Sequence, residues 1–213
     1  MSALTDYARA FAACPIVAIL RGVRPDEVVA VAEALVSAGV GIVEVPLNSP
    51  EPLQSIRRLA GAFAGRAVVG AGTVLKVADV EQVAAAGGRF IVSPNTDAAV
   101  IAASKDAGLV SLPGFQTPTE AFTAIAAGAD MLKYFPGEAA TPAIIRALSA
   151  VVPASVPMLL VGGVAADTIE RWTNTPIAGF GIGSSLYKAG DSPTAVAEKS
   201  MLFVAALRAA GRM

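Results

Sequence analysis

Two charged side chains stand where charges are costly. Lys133 lies in the apolar run Met131-Leu-Lys-Tyr-Phe-Pro136, and Glu44 lies in Gly41-Ile-Val-Glu-Val-Pro-Leu47. A buried charge costs several kcal/mol unless it is paired or neutralised. One reading is therefore a structural ion pair between the two. The reactive reading is a desolvated lysine that is partly neutral amine at pH 7. Such an amine attacks a ketone and forms a Schiff base, and the protonated imine is an electron sink for breaking the neighbouring C–C bond. This chemistry needs no metal and no cofactor. It does need a proton shuttle, for which Glu44 is the candidate.

Other residues could hold a substrate around that pair. Arg21 closes the run Pro15–Leu20 and could grip a carboxylate with two parallel hydrogen bonds. Thr73 could add a hydroxyl. The glycine turns Val161-Gly-Gly-Val164 and Gly181-Ile-Gly-Ser-Ser185 let backbone approach an anion, so Gly162, Gly163, Gly183 and Ser184 are candidate phosphate contacts. Pro94 and Phe135 could wall the pocket. Gly179-Phe-Gly-Ile-Gly183 is not a dinucleotide fingerprint. Lys105 and Lys199 fall on expected helix faces, Lys188 follows the last strand, and Lys76 lies in a loop. Trp172 and the three tyrosines carry no functional signal.

These residues need a scaffold that aims them at one place. Short runs rich in β-branched residues recur as Pro15–Leu20, Gly41–Leu47, Ala67–Gly72, Arg89–Pro94, Leu109–Gly114, Met131–Pro136, Pro157–Gly163 and Gly179–Ser185. Helical stretches separate them: Pro25–Gly39, Pro50–Phe63, Val77–Gly87, Thr96–Gly108, Thr117–Gly128, Thr141–Val151, a shorter Asp167–Trp172, and Ser192–Ala210. A further helix, Ala3–Cys14, precedes the first strand and should plug or flank the bottom of the fold. Strict alternation predicts a parallel sheet covered by helices. Eight units predict a closed (β/α)₈ TIM barrel, in one domain spanning residues 1–213 with a helical extension over 1–14. A doubly wound sheet would want a Gly-x-Gly-x-x-Gly turn after strand one, where Leu20-Arg21-Gly22-Val23-Arg24 stands instead. In a barrel, period two puts Ile42, Glu44 and Pro46 on one face of strand two, and Met131, Lys133 and Phe135 on one face of strand six. Closed barrels have no edges, so Lys133 has no edge-strand explanation.

Composition narrows the chemistry. The chain has 213 residues, no histidine and one cysteine, Cys14. Zero histidines removes Ser-His-Asp and Cys-His catalysis and the usual histidine-bearing metal sites. A lone cysteine cannot form an internal disulfide and fits a reducing cytoplasm. The net charge of -1 with no basic patch predicts no nucleic-acid partner. No apolar run reaches the ~18 residues that span a membrane. Ala10–Leu20 has the apolar character of a leader segment, but Asp6 spoils its basic start and no small-residue cleavage motif follows.

Taken in order, Ile-Leu-Arg-Gly, Val-Glu-Val-Pro-Leu-Asn-Ser-Pro, Gly-Ala-Gly-Thr-Val-Leu, Ile-Val-Ser-Pro, Leu-Pro-Gly, Thr-Pro-Thr-Glu-Ala, Leu-Lys-Tyr-Phe-Pro and Val-Gly-Gly-Val resemble the 2-keto-3-deoxy-6-phosphogluconate and 6-phosphogalactonate aldolase family. The match covers Pro15 to Tyr187. The resemblance implies class I cleavage of a phosphorylated 2-keto-3-deoxy sugar acid to pyruvate and glyceraldehyde 3-phosphate. It implies Lys133 as Schiff-base lysine and Glu44 as acid/base. It also implies Arg21 and Thr73 at the pyruvate carboxylate, and Gly162, Gly163, Gly183 and Ser184 at the phosphate. A homotrimer is implied too. After the glutamate, Pro46-Leu47-Asn48-Ser49 looks like the galactonate type, which makes Asn48 and Ser49 the specificity candidates for the C4 hydroxyl. Gly137-Glu138-Ala139 looks closer to the gluconate type, so the gluconate epimer is the alternative substrate. A sugar-phosphate isomerase or epimerase on the same barrel and a non-catalytic sugar-phosphate binder are the readings from other classes.

Overall fold

The computed structural model describes residues 2–213. Chain order gives α1 (Ala3–Ala13), β1 (Ile16–Ile19), α2 (Val28–Ser37), β2 (Ile42–Pro46), α3 (Pro52–Ala62), β3 (Val68–Gly72), α4 (Val77–Ala85), β4 (Phe90–Val92), α5 (Ala98–Asp106) and β5 (Val110–Leu112). Then follow β6 (Gly114–Phe115), α6 (Pro118–Ala126), β7 (Leu132–Tyr134), α7 (Pro142–Ser149), β8 (Met158–Val161), β9 (Ile177–Ile182) and α8 (Pro193–Ala209). All pairings are parallel, in the order β5-β4-β3-β2-β1-β9-β8-β7-β6.

The two ends of that order are one barrel strand. β5 and β6 are separated by Pro113, which has no N–H to give the ladder. Its carbonyl still accepts from Lys133 N at 2.9 Å, and Ser111 O accepts from Asp130 N at 3.0 Å, so the circle closes. The expected single strand Leu109–Gly114 is thus two short segments. The last strand also differs from expectation. It starts at Ile177 and ends at Ile182, which leaves Gly183 and Ser184 in the turn beyond it. Asp167–Trp172 belongs to a 3₁₀ stretch, Ala166–Trp172. Helix starts carry local signals: Pro52, Pro118, Pro142 and Pro193 occupy first helical positions, and Thr117 with Glu120 forms a capping box.

Side chains divide by parity. Val17, Ile19, Ile42, Val68, Phe90, Val92, Val110, Leu112, Met131, Leu159 and Val161 fill the interior, while Ile16, Ala18, Val43, Val45, Val69, Leu132, Tyr134 and Leu160 pack against the helices. The interior set includes Ile42 and Met131, so the faces carrying Glu44 and Lys133 point inward as the alternation predicts. α1 closes the bottom: Ala3 and Tyr7 are buried with the interior set, and Tyr7 meets Phe90 edge-on at 5.5 Å. Among the described residues, no helix is long and apolar enough to cross a membrane.

Candidate active site

Glu44 and Lys133 are 2 % and 5 % exposed. Glu44 stands between Ile19 of β1 and Gly70 of β3, and Lys133 stands between Gly114 of β6 and Leu159 of β8. β3 makes the room. A Cβ at Gly72 would overlap the Glu44 carboxylate, so glycine there lets the side chain lie against bare backbone.

No direct ion pair joins Glu44 to Lys133; the ion pairs among the described residues lie elsewhere, as with Lys105–Asp130 and Lys199–Asp191 at 2.6 Å each. The two feel each other's charge without contact. Burial pushes the Lys133 ammonium below the ordinary lysine range, against the pull of Glu44 and with help from Arg21. Burial also pushes the Glu44 carboxyl up, against the cations Lys133 and Arg21. Desolvation is the leading cause in both, so both move toward their neutral forms. Both shifts favour the forms, a neutral amine and a carboxylic acid, that carbonyl addition and dehydration use. The Phe135 ring, 36 % exposed, flanks the amine with its centroid 4.6 Å from Nζ.

The remaining candidates gather at the C-terminal ends of the strands, where barrel enzymes carry their chemistry. Arg21, just beyond β1, donates from Nη1 to Asn48 Oδ1 at 2.6 Å and reaches Thr73 Oγ1 at 3.5 Å. Three loops, after β1, β2 and β3, thus meet at one guanidinium. Thr73 holds φ 58°, a left-handed conformation that strains a β-branched residue. Ser93 helps to hold that turn, its hydroxyl donating to Val74 O at 2.7 Å. Asn48 keeps its amide N–H groups for another acceptor. Ser49 is differently placed: its hydroxyl is buried and accepts from Gly22 N at 2.9 Å, tying two loops together. Pro94 is half-buried beyond β4, its carbonyl against Gly114. Gly162 and Gly163 follow β8 with φ 106° and 67°, and Gly183 and Ser184 follow β9 with no neighbour crowding Gly183.

Two neighbours of the site were not among the candidate contacts: Glu138, read only as part of a gluconate-like run, and Tyr7. The Glu138 side chain lies along the Gly162–Gly163 turn, its Oε2 2.5 Å from where a Gly162 Cβ would sit. Tyr7 lies in the interior beneath Glu44. Glu138 had a signal, since it follows strand Leu132–Tyr134 closely; Tyr7, on a helix before the barrel, had none. A separate cavity of about 640 Å³ opens at the opposite end, beside α1, lined by Asp6, Arg9, Arg66 and Arg89. It lies away from every candidate above.

The family model for KDPG and KHG aldolases matches residues 8–196. The chain belongs to that family. It is accordingly a carbon–carbon lyase. It is 44 % identical over 196 residues to the 2-dehydro-3-deoxy-6-phosphogalactonate aldolase of Escherichia coli K12, covering 92 % of this chain and 96 % of that one. A solved structure described as native KDPGal superimposes with a TM-score of 0.91 at 44 % identity, covering 93 % of this chain and 97 % of the other. The KHG/KDPG aldolase of the same organism is 32 % identical over 125 residues, 59 % of this chain and 58 % of that one. The aldolase reading of the sequence and the barrel expected from it both stand.

Proposed function

We propose that this aldolase cleaves 2-dehydro-3-deoxy-6-phosphogalactonate to pyruvate and glyceraldehyde 3-phosphate, with Lys133 as nucleophile and Glu44 as acid/base. The observation that carries the reading is the shared burial of Lys133 and Glu44 in the barrel interior, with both groups pushed toward neutrality.

Neutral Lys133 Nζ adds to the C2 ketone. Glu44 gives a proton to the departing hydroxyl, water leaves, and a protonated imine remains. A base removes the C4 hydroxyl proton, the C3–C4 bond breaks, and its electron pair moves into the enamine as the aldehyde departs. Protonation at C3 and addition of water at C2 then release pyruvate and free the amine. Arg21 and Thr73 hold the carboxylate, and the Gly162–Gly163 and Gly183–Ser184 turns take the phosphate. Pro94 and Phe135 wall the pocket. Asn48, fixed by Arg21, offers its amide to the C4 hydroxyl; Ser49 acts on specificity by setting the loop that carries Asn48.

The galactonate epimer is favoured by the wider match to galactonate-type relatives and by Asn48 following the catalytic strand. Homotrimeric assembly and a cytoplasmic location complete the reading. Borohydride reduction with pyruvate should add one adduct, mapped by peptide mass to Lys133, and Lys133→Ala should abolish both adduct and turnover. An adduct elsewhere, or turnover that survives, would mean another nucleophile. Assay of the two C4 epimers with one preparation tests the substrate; equal or greater activity on the gluconate epimer would assign the chain to the other substrate.

A further inference from the structure

The polar side chains at interior strand positions are Glu44 and Lys133, and a third polar group enters the same space from α1. Tyr7 is 2 % exposed, stacks on Phe11 at 5.9 Å and meets Phe90 edge-on at 5.5 Å. Its hydroxyl is buried and has no hydrogen-bond partner in the chain. Buried phenol O–H groups ordinarily find a partner, and the ring contacts alone would be served by phenylalanine. The hydroxyl is what needs a reason.

The surroundings supply one. β3 presents Gly70 and Gly72 on its interior face above Val68; the Phe90 ring that Tyr7 meets edge-on fills the space beside Gly70, and the Glu44 carboxylate fills the space beside Gly72. The Glu44 charge is felt at the phenol. Ile42 packs in the same interior cluster as Tyr7, and Glu44 follows it two residues on along the same face of β2, which makes the carboxylate the charged acceptor on that face. We propose that Tyr7 is a positioning residue for Glu44, its O–H donating through buried water to the carboxylate. The inference rests on Glu44 being the acid/base. Lys133 from β7 and Arg21 from beyond β1 are the charged groups that face the same carboxylate, and Tyr7 adds a donor from below.

A donor to the anion favours the anion. Tyr7→Phe keeps the ring and removes the donor, so Glu44 should then ionise at higher pH. Infrared titration of the Glu44 carboxyl band, with Glu44→Gln as blank, should move up by about half a pH unit or more, a ~3-fold change in ionisation constant. The acid limb of kcat/KM should move the same way. Superimposable titrations of Tyr7→Phe and the parent would overturn the proposal, even with activity reduced. The two readings fail separately. Glu44→Gln with full turnover would remove the acid/base assignment, while the infrared comparison still decides whether Tyr7 serves the carboxylate. An inactive Glu44→Gln with an unmoved Tyr7→Phe titration would remove only the role of Tyr7.

Discussion

At the scale of single residues, the interior pair is marked by an interaction left unmade. Glu44 and Lys133 share an interior, yet they form no direct salt bridge, so burial outweighs attraction in both. The stability consequences have opposite pH signs. Glu44 is raised in the folded chain: its contribution is full below the ordinary carboxylate value of about 4.3 and is lost as pH rises through the raised one. Lys133 is lowered: its contribution is full above about 10.4 and is lost as pH falls through the lowered value. Near neutrality the pair therefore costs stability. Replacing both by neutral groups of similar shape, Glu44→Gln with Lys133→Met, should abolish turnover and raise unfolding free energy at pH 7 by roughly 1–4 kcal/mol. Urea denaturation at several pH values checks this. A double variant less stable than the parent would restore the alternative of a structural ion pair.

At the scale of elements, the strands aim what the residues do. Gly72 is the clearest case, because β3 must offer backbone, not side chain, where Glu44 lies. Gly72→Ala should cost about 1–3 kcal/mol through overpacking. It should also lower kcat ~100-fold by displacing the carboxylate, a loss typical of an ångström's misplacement. Steady-state kinetics beside thermal unfolding separates the two effects; unchanged kcat would mean that Glu44 need not sit there. Much of this was legible in one dimension. Alternation in Ile42-Val-Glu-Val-Pro46 and in Met131-Leu-Lys133 put both charges on interior faces, because period two is a property of strand geometry itself. The break at Pro113 was missed, since its neighbours are as apolar as any other strand. The helix expected from Pro25 begins at Val28, because Asp26 pairs with Arg24 and Glu27 takes the Arg24 backbone N–H, closing a turn first. The hydrogen bond from Gly22 to Ser49 joins residues 27 apart, and no local pattern encodes which loop a hydroxyl will face.

At the scale of the whole molecule, the barrel has a working end and a sealed end, and α1 makes the difference between them. The helix puts two residues, Ala3 and Tyr7, into the floor and leaves Leu4 half exposed on its outer side. Energetic weight should follow that asymmetry. Tyr7→Ala removes an aromatic ring packed on Phe11 and Phe90 and leaves a void below Ile42 and Met131. A cost of about 3–5 kcal/mol is expected, which for a chain of this length lowers Tm by roughly 6–20 °C. Leu4→Ser, one turn away on the exposed side, should stay within about 0.5 kcal/mol. Calorimetry on the two variants reads the contrast directly. Similar, small effects from both would mean that α1 rests on the barrel without sealing it. The barrel floor would then be open to water, and the desolvation that pushes Glu44 and Lys133 toward their neutral forms would have to come from the mouth alone.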